Sequence, residues 1–235
     1  MRVGVEMEKR APDDLIYTGN ALRTIPHRIR IKQVIAELCS MASGEFTYAD
    51  VGCGGGSITH RIVRAIRPAK AFAFDCNTEL IDFASKIFPG ISFQVWDLTK
   101  PNRWDGSYDL VTCLETLEHV EDLRAALHNL LAMTRRSLLI TVPIELGVLG
   151  AAKFGAKAVV GKALTEEHSG SRADYLRALL TGGDISRFRV RSRDGRWLSH
   201  SGFDYRQIDR LLESQRVNFV AKNRGWNRFY RVTKQ

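Results

Sequence analysis

The chain repeats one pattern: a short apolar run, a turn, then an amphipathic segment of helical length. The runs are "FTYADV" (46–51), "KAFAFD" (70–75), "ISFQVW" (91–96), "YDLVTCL" (108–114) and "SLLITVP" (137–143). His60–Arg67, Glu79–Phe88 and Asp122–Met133 carry the helical pattern between them. Near-continuous apolar runs suit strands buried on both faces, and strands alternating with helices build a parallel sheet covered on both sides. The expected fold is α/β and Rossmann-like. Ahead of the runs, Pro26 to Met41 reads as a helix with Pro26 near its first turn. After Pro143 the alternation stops. Residues 144–170 are rich in Gly, Ala and Lys, and "ADYLRALL" (173–180) and "YRQIDRLLES" (205–214) read as helices. "RVNFVA" and "RFYRV" close the chain as strand-like pieces. One domain is expected, with an N-terminal helix in 1–45, a core of alternating strands and helices in 46–143, a helical insertion in 144–202 and a C-terminal helix with strands in 203–235.

Gly52, Gly54, Gly55 and Gly56 crowd the junction between the first run and the first long helix. In an open α/β sheet this is the carboxyl edge of the strands, where ligands bind, and glycine lets a ligand approach the main chain. The spacing is neither the GxGxxG of dinucleotide enzymes nor a GK[ST] triphosphate loop. Asp75 ends the second run, where a carboxylate can accept from both hydroxyls of a ribose. Asp97 follows the third run, placed to hold an adenine amino group with Leu98 beside the ring. Either acid alone could be an ordinary strand-end cap.

Together, in this order and at these intervals, these residues resemble the class I S-adenosylmethionine-dependent methyltransferases. The resemblance runs from Tyr48 to Pro143. It implies a seven-stranded, mostly parallel sheet with a reversed final strand, and S-adenosylmethionine as cofactor on Asp50, Gly52, Gly54, Gly56, Asp75, Cys76, Asp97 and Leu98. "DVGCGGG" and "VTCLETLEHVEDLRAAL" look most like the ubiquinone-pathway O-methyltransferases, and "IPHRIRIKQVIAEL" is similar to their covering helix. Carried over, Arg30 (or Arg28) meets the methionine carboxylate and Leu114 contributes from the loop after the fourth strand. That family also carries a Gly-rich, membrane-seeking segment where "LGVLGAAKFGAKAVVGKAL" (146–164) falls here. Its apolar positions, broken by Lys153, Lys157 and Lys162, suit an interface with anionic headgroups, a lid over an apolar acceptor, or a buried helix. Beyond Ala163 the resemblance fades, so the acceptor is not inherited from the family.

Glu115, Glu118 and His119 form an ExxEH group in "VTCLETLEHV". Two carboxylates and an imidazole can hold a divalent cation, which would acidify an acceptor hydroxyl. The small-RNA 3′-end 2′-O-methyltransferases, which the chain also resembles here, use ExxEH as metal ligands with a distal histidine, for which His200 is the candidate. His119 alone could serve as a general base, with Glu115 beside it in the catalytic loop. Glu118 and His119 could instead cap the next helix. All three readings stand on sequence.

The charge of the chain bears on the acceptor. From Gly161 onward, 16 Lys+Arg face 8 Asp+Glu, whereas the first 160 residues are near balance at 19 to 18. Arg187, Arg189, Arg191, Arg193 and Arg196 recur at strand spacing, which would set the first four on one face. That face reads as a solvated edge strand or an anion-binding surface. A small-molecule or lipid-linked acceptor, anionic or glycosidic, is the leading expectation, with RNA as the alternative. Trp197, His200, Phe203 and Tyr205 cluster where aromatic side chains could wall an acceptor pocket, with core packing favoured for Phe203. Cys39, Cys53, Cys76 and Cys113 lack paired metal spacing and read as reduced thiols, and the N-terminus lacks a signal-peptide core. The expected location is cytoplasmic, with a peripheral membrane contact as a candidate.

Overall fold

The computed structural model of the chain describes residues 21–101, 103–147, 150–152, 171–191, 197 and 202–234. Expectations placed on Val148, Leu149, residues 153–164, Arg193, Arg196 and His200 lie outside the described residues. By compactness the chain divides into residues 1–96 and 97–235.

The first unit holds helix α1 (Ala21–Met41), strand β1 (Thr47–Val51), helix α2 (Ser57–Ile66), strand β2 (Lys70–Asp75), helix α3 (Thr78–Ile87) and strand β3 (Ser92–Val95). β2 pairs in parallel with both β1 and β3, setting Asp50 beside Ala73 and Asp75 beside Val95. Tyr48, Ala49, Ala73 and Phe74 are fully buried, as near-continuous apolar strands require. α1 buries Ile31, Val34 and Leu38, a stripe at spacings of three and four residues. This helix begins before the expected start, so Pro26 lies inside it. A proline there removes one ladder hydrogen bond; the buried stripe lies after it, where the helix is held by packing. Asn77 caps α3, its side chain accepting from the Leu80 N–H at 3.2 Å.

The second unit holds strand β4 (Tyr108–Leu114), helix α4 (Leu123–Met133), strand β5 (Thr134–Pro143), helix α5 (Arg172–Thr181), a 3-10 turn (Ser186–Phe188), helix α6 (Arg206–Ser214), and strands β6 (Asn218–Arg224) and β7 (Asn227–Thr233). β4 and β5 are parallel, and β7 runs antiparallel to both β5 and β6. The sheet order is β3-β2-β1-β4-β5-β7-β6, seven strands with β7 reversed. β5 starts earlier than its apolar run because Arg135 and Arg136 interrupt the hydrophobic signal. Both are exposed, and Arg135 pairs with the largely buried Asp109 at 2.7 Å.

Leu146, the first residue of the 146–164 segment, is buried with Tyr175, Ala178, Leu179, Ile185 and Phe188, which agrees with the buried-helix reading at that position. That same cluster breaks the arginine alternation. Drawing Ile185 and Phe188 inward winds Ser186–Phe188 into a 3-10 turn, so Arg187 is exposed while Arg189 is partly buried, and the two share no strand face.

Candidate functional site

In the first unit, the chain leaves β1 through a turn folded onto the end of β2. The Gly52 and Cys53 N–H groups both donate to the Phe74 carbonyl, at 2.7 and 3.0 Å. Gly56 caps α2 at φ 81° and brings no side-chain cap bond. A Cβ at this position would lie 2.8 Å from the Phe93 ring, so both backbone angle and space demand glycine. A helix start without a built-in cap leaves backbone donors for a ligand.

Asp75 joins this turn to β2. Its Oδ2 accepts the Gly54 N–H and its Oδ1 the Asn77 N–H, both at 2.9 Å. A carboxylate has about four acceptor sites, so these two bonds leave capacity for a ribose diol. The residues present therefore fit the nucleoside part of S-adenosylmethionine. Asp50 is 3% exposed and accepts the Thr59 hydroxyl at 2.5 Å, tying β1 to α2. Cys76 is exposed beside Asp75. On α1, Arg30 is partly buried and Arg28 exposed.

In the second unit, Asp97 forms an Asx turn: its Oδ1 accepts the Thr99 N–H at 2.9 Å and the Thr99 hydroxyl at 2.7 Å. Leu98 is buried, and Asn129 fixes this stretch by donating to the Leu98 and Lys100 carbonyls, each at 2.7 Å. Nothing in the sequence distinguishes Asn129 from any polar residue of an amphipathic helix. A cavity of about 510 Å³ opens beside the Asx turn, lined by Thr99, Lys100, Asp122, Arg124 and His128 among others.

The loop after β4 is anchored in three directions. Leu114 ends the strand partly buried. Glu115 holds a left-handed backbone at φ 53°, uncommon for a side-chain-bearing residue and found where surroundings enforce it. The Thr141 hydroxyl donates to its Oε1 at 3.1 Å, and the Asn227 amide to its Oε2 at 2.9 Å. Glu118 is fully buried, and its carbonyl accepts from the Arg189 guanidinium. Burial pulls the Arg189 pKa down to about 10, against the upward pull of the Glu118 charge, while Arg191 adds to the depression. The Arg189 guanidinium lies 4.0 Å from the Trp197 ring and 5.5 Å from Phe203. His119 places Nδ1 3.2 Å from the Trp197 carbonyl.

The expected metal centre does not fit these side chains. Among the described residues no three of His, Cys, Asp and Glu come together as a metal-holding group. The Glu115 carboxylate is turned to Thr141 and Asn227, Glu118 is enclosed with Arg189 nearby, and His119 is directed to Trp197. The capping reading is corrected too: Asp122 caps α4, accepting the Ala125 N–H at 2.9 Å. Thr141, Arg189 and Asn227 carried no sequence signal linking them to the loop. Phe203 is buried, as core packing requires.

Residues 49–137 match a family described as a methyltransferase domain. The chain is 34% identical over 84 residues to a ubiquinone biosynthesis O-methyltransferase of Erwinia tasmaniensis, covering 34% of this chain and 34% of that protein. It is 34% identical over 120 residues to the ubiquinone biosynthesis O-methyltransferase of Methylococcus capsulatus, covering 47% of this chain and 45% of that one. The matched stretches thus span a third to under a half of these curated relatives' length. A SAM-dependent methyltransferase from Aquifex aeolicus superimposes over 94% of this chain and 92% of its own with a TM-score of 0.56 and 12% identity, which is a likeness of fold. The chain has the fold of these S-adenosylmethionine-dependent methyltransferases, and its residues 49–137 match the methyltransferase-domain family. Among curated proteins, this domain is similar to those of the ubiquinone biosynthesis O-methyltransferases.

Proposed function

We propose that the protein transfers a methyl group from S-adenosylmethionine to a hydroxyl oxygen of a small acceptor, one that is anionic, glycosidic or lipid-linked. The observation that carries the cofactor half is the Asp75 carboxylate, bonded to the Gly54 N–H of the glycine turn with acceptor capacity left over. When bound, S-adenosylmethionine supplies a methyl group on a sulfonium sulfur, and its transfer to a hydroxyl releases a proton. The glycine turn receives the methionine part, Asp75 the ribose, and Asp97 with Leu98 the adenine. Arg30 meets the methionine carboxylate. His119 accepts the released proton as general base. Glu115 shapes the loop that carries His119 through its bonds to Thr141 and Asn227.

Similarity to O-methyltransferases supports oxygen as the acceptor atom. The lysines between residues 153 and 162 support a lipid-linked or anionic acceptor, met at a membrane surface. No helix among the described residues is long and apolar enough to cross a membrane. The basic C-terminal third favours RNA as the second reading. Incubating the protein with methyl-labelled S-adenosylmethionine and separated lipid, small-molecule and RNA extracts tests both. Label in a lipid or small-molecule fraction supports the proposal, and label in RNA alone transfers it to the second reading. No label in any fraction, with cofactor bound, contradicts both.

A further inference from the structure

We propose that Arg189, Trp197 and Arg191 form a strap that fixes which ring nitrogen of His119 carries the proton. His119 Nδ1 lies 3.2 Å from the Trp197 carbonyl oxygen. A carbonyl can only accept, so Nδ1 must be the N–H, and in the neutral ring Nε2 then holds the lone pair. A free imidazole side chain favours the opposite tautomer, so the carbonyl has to be held in place to impose this one.

The strap does that from both sides of His119. The Trp197 ring receives two guanidiniums, Arg189 at 4.0 Å and Arg191 at 4.5 Å from its centroid. Arg189 also donates to the carbonyl of Glu118, the residue before His119. Arg191 pairs with Glu121, two residues after it, at 2.8 Å, and forms an isolated antiparallel bridge with Trp197. Residues on either side of the imidazole are thus tied to the same indole whose backbone receives its N–H. These are positioning residues. The inference gives the proposed base its proton-accepting nitrogen and rests on that reading for its catalytic meaning, while the strap itself does not.

Long-range ¹H–¹⁵N correlation spectra of the full chain labelled with ¹⁵N-histidine report the tautomer. The His119 signals are those absent from His119→Gln. Native protein at alkaline pH should show the proton on Nδ1. Trp197→Leu keeps the carbonyl and loses the ring, while Arg189→Lys keeps a cation and loses the planar face. Both should shift the signals toward the Nε2–H form and lower turnover on the labelled fraction on the order of tenfold, less than His119→Gln does. A native spectrum with the proton on Nε2, or an unchanged tautomer in both variants, overturns the strap. Full turnover in His119→Gln with native Nδ1–H retained would refute the base and leave the strap standing.

Discussion

The glycine turn and the post-β4 loop are built over very different stretches of chain. In the turn, Asp50 and Thr59 meet across 9 residues and Gly54 and Asp75 across 21. In the loop, Arg189 reaches Glu118 across 71 residues, Trp197 reaches His119 across 78, and Asn227 reaches Glu115 across 112. The turn works through backbone groups whose geometry only certain residues allow, so its spacing cannot drift far without losing the ligand. The loop takes its conformation from side chains elsewhere. Its letters can persist while their partners change, and ExxEH here bonds to Thr141, Asn227, Arg189 and Trp197.

The largest expected effect breaks the turn. Asp75→Ala should weaken S-adenosylmethionine binding by about 2–4 kcal/mol, because a charged acceptor for the ribose is lost. Calorimetry on folded protein reads it, and unchanged affinity would remove Asp75 from the site. Gly56→Ala should lower stability by about 1–3 kcal/mol, since the new Cβ meets the Phe93 ring at a positive φ. A denaturant midpoint equal to wild type would show that the turn relaxes around a side chain.

The loop responds to different changes. Glu115→Ala leaves the Thr141 hydroxyl and Asn227 amide without their acceptor and should cost roughly 1–3 kcal/mol. Glu115→Gln keeps one carbonyl oxygen and should cost less. A metal ligand would lose function in both variants and keep its stability in both, so the two measurements separate clamp from ligand. Excess EDTA should leave turnover on the labelled fraction unchanged; its abolition would return the metal to the loop.

The smallest effect lies in α2. Burial, with the Arg64 and Arg61 charges adding to it, lowers the His60 pKa below its ordinary 6.5. The fold therefore favours neutral His60, whose ring stacks on Phe88 at 4.7 Å. This contribution is present above about pH 6.5 and is lost as pH falls through the lowered value, because the unfolded chain then binds the extra proton. Melts of His60→Leu across that range should fall less steeply than those of wild type, and parallel curves would deny the effect.

The same contrast explains what the sequence carried. "YADV", "KAFAFD" and "YDLVTCL" announce buried strands through composition alone, and the turn from Gly52 to Gly56 and Asp75 stand at the ends of the paired strands β1 and β2, a placement that strand order alone foretells. The start of β5 was hidden by Arg135 and Arg136, charged residues on a strand whose signal is apolar. The arginine run read as a strand face because spacing does not reveal that Ile185 and Phe188 are drawn into a core with Tyr175. Glu115, Glu118 and His119 stand out in the sequence as an ExxEH group, but their partners are Thr141 on β5, Asn227 on β7, Arg189 and Trp197. No local pattern marks such a pairing.

One measurement tests the separation of the glycine turn from the post-β4 loop most directly: S-adenosylmethionine titrated calorimetrically into wild type, Asp75→Ala and His119→Gln, with no acceptor needed. Asp75→Ala should lose most of its affinity while His119→Gln binds the cofactor like wild type. Wild-type affinity in Asp75→Ala, or an equal loss in His119→Gln, would contradict it.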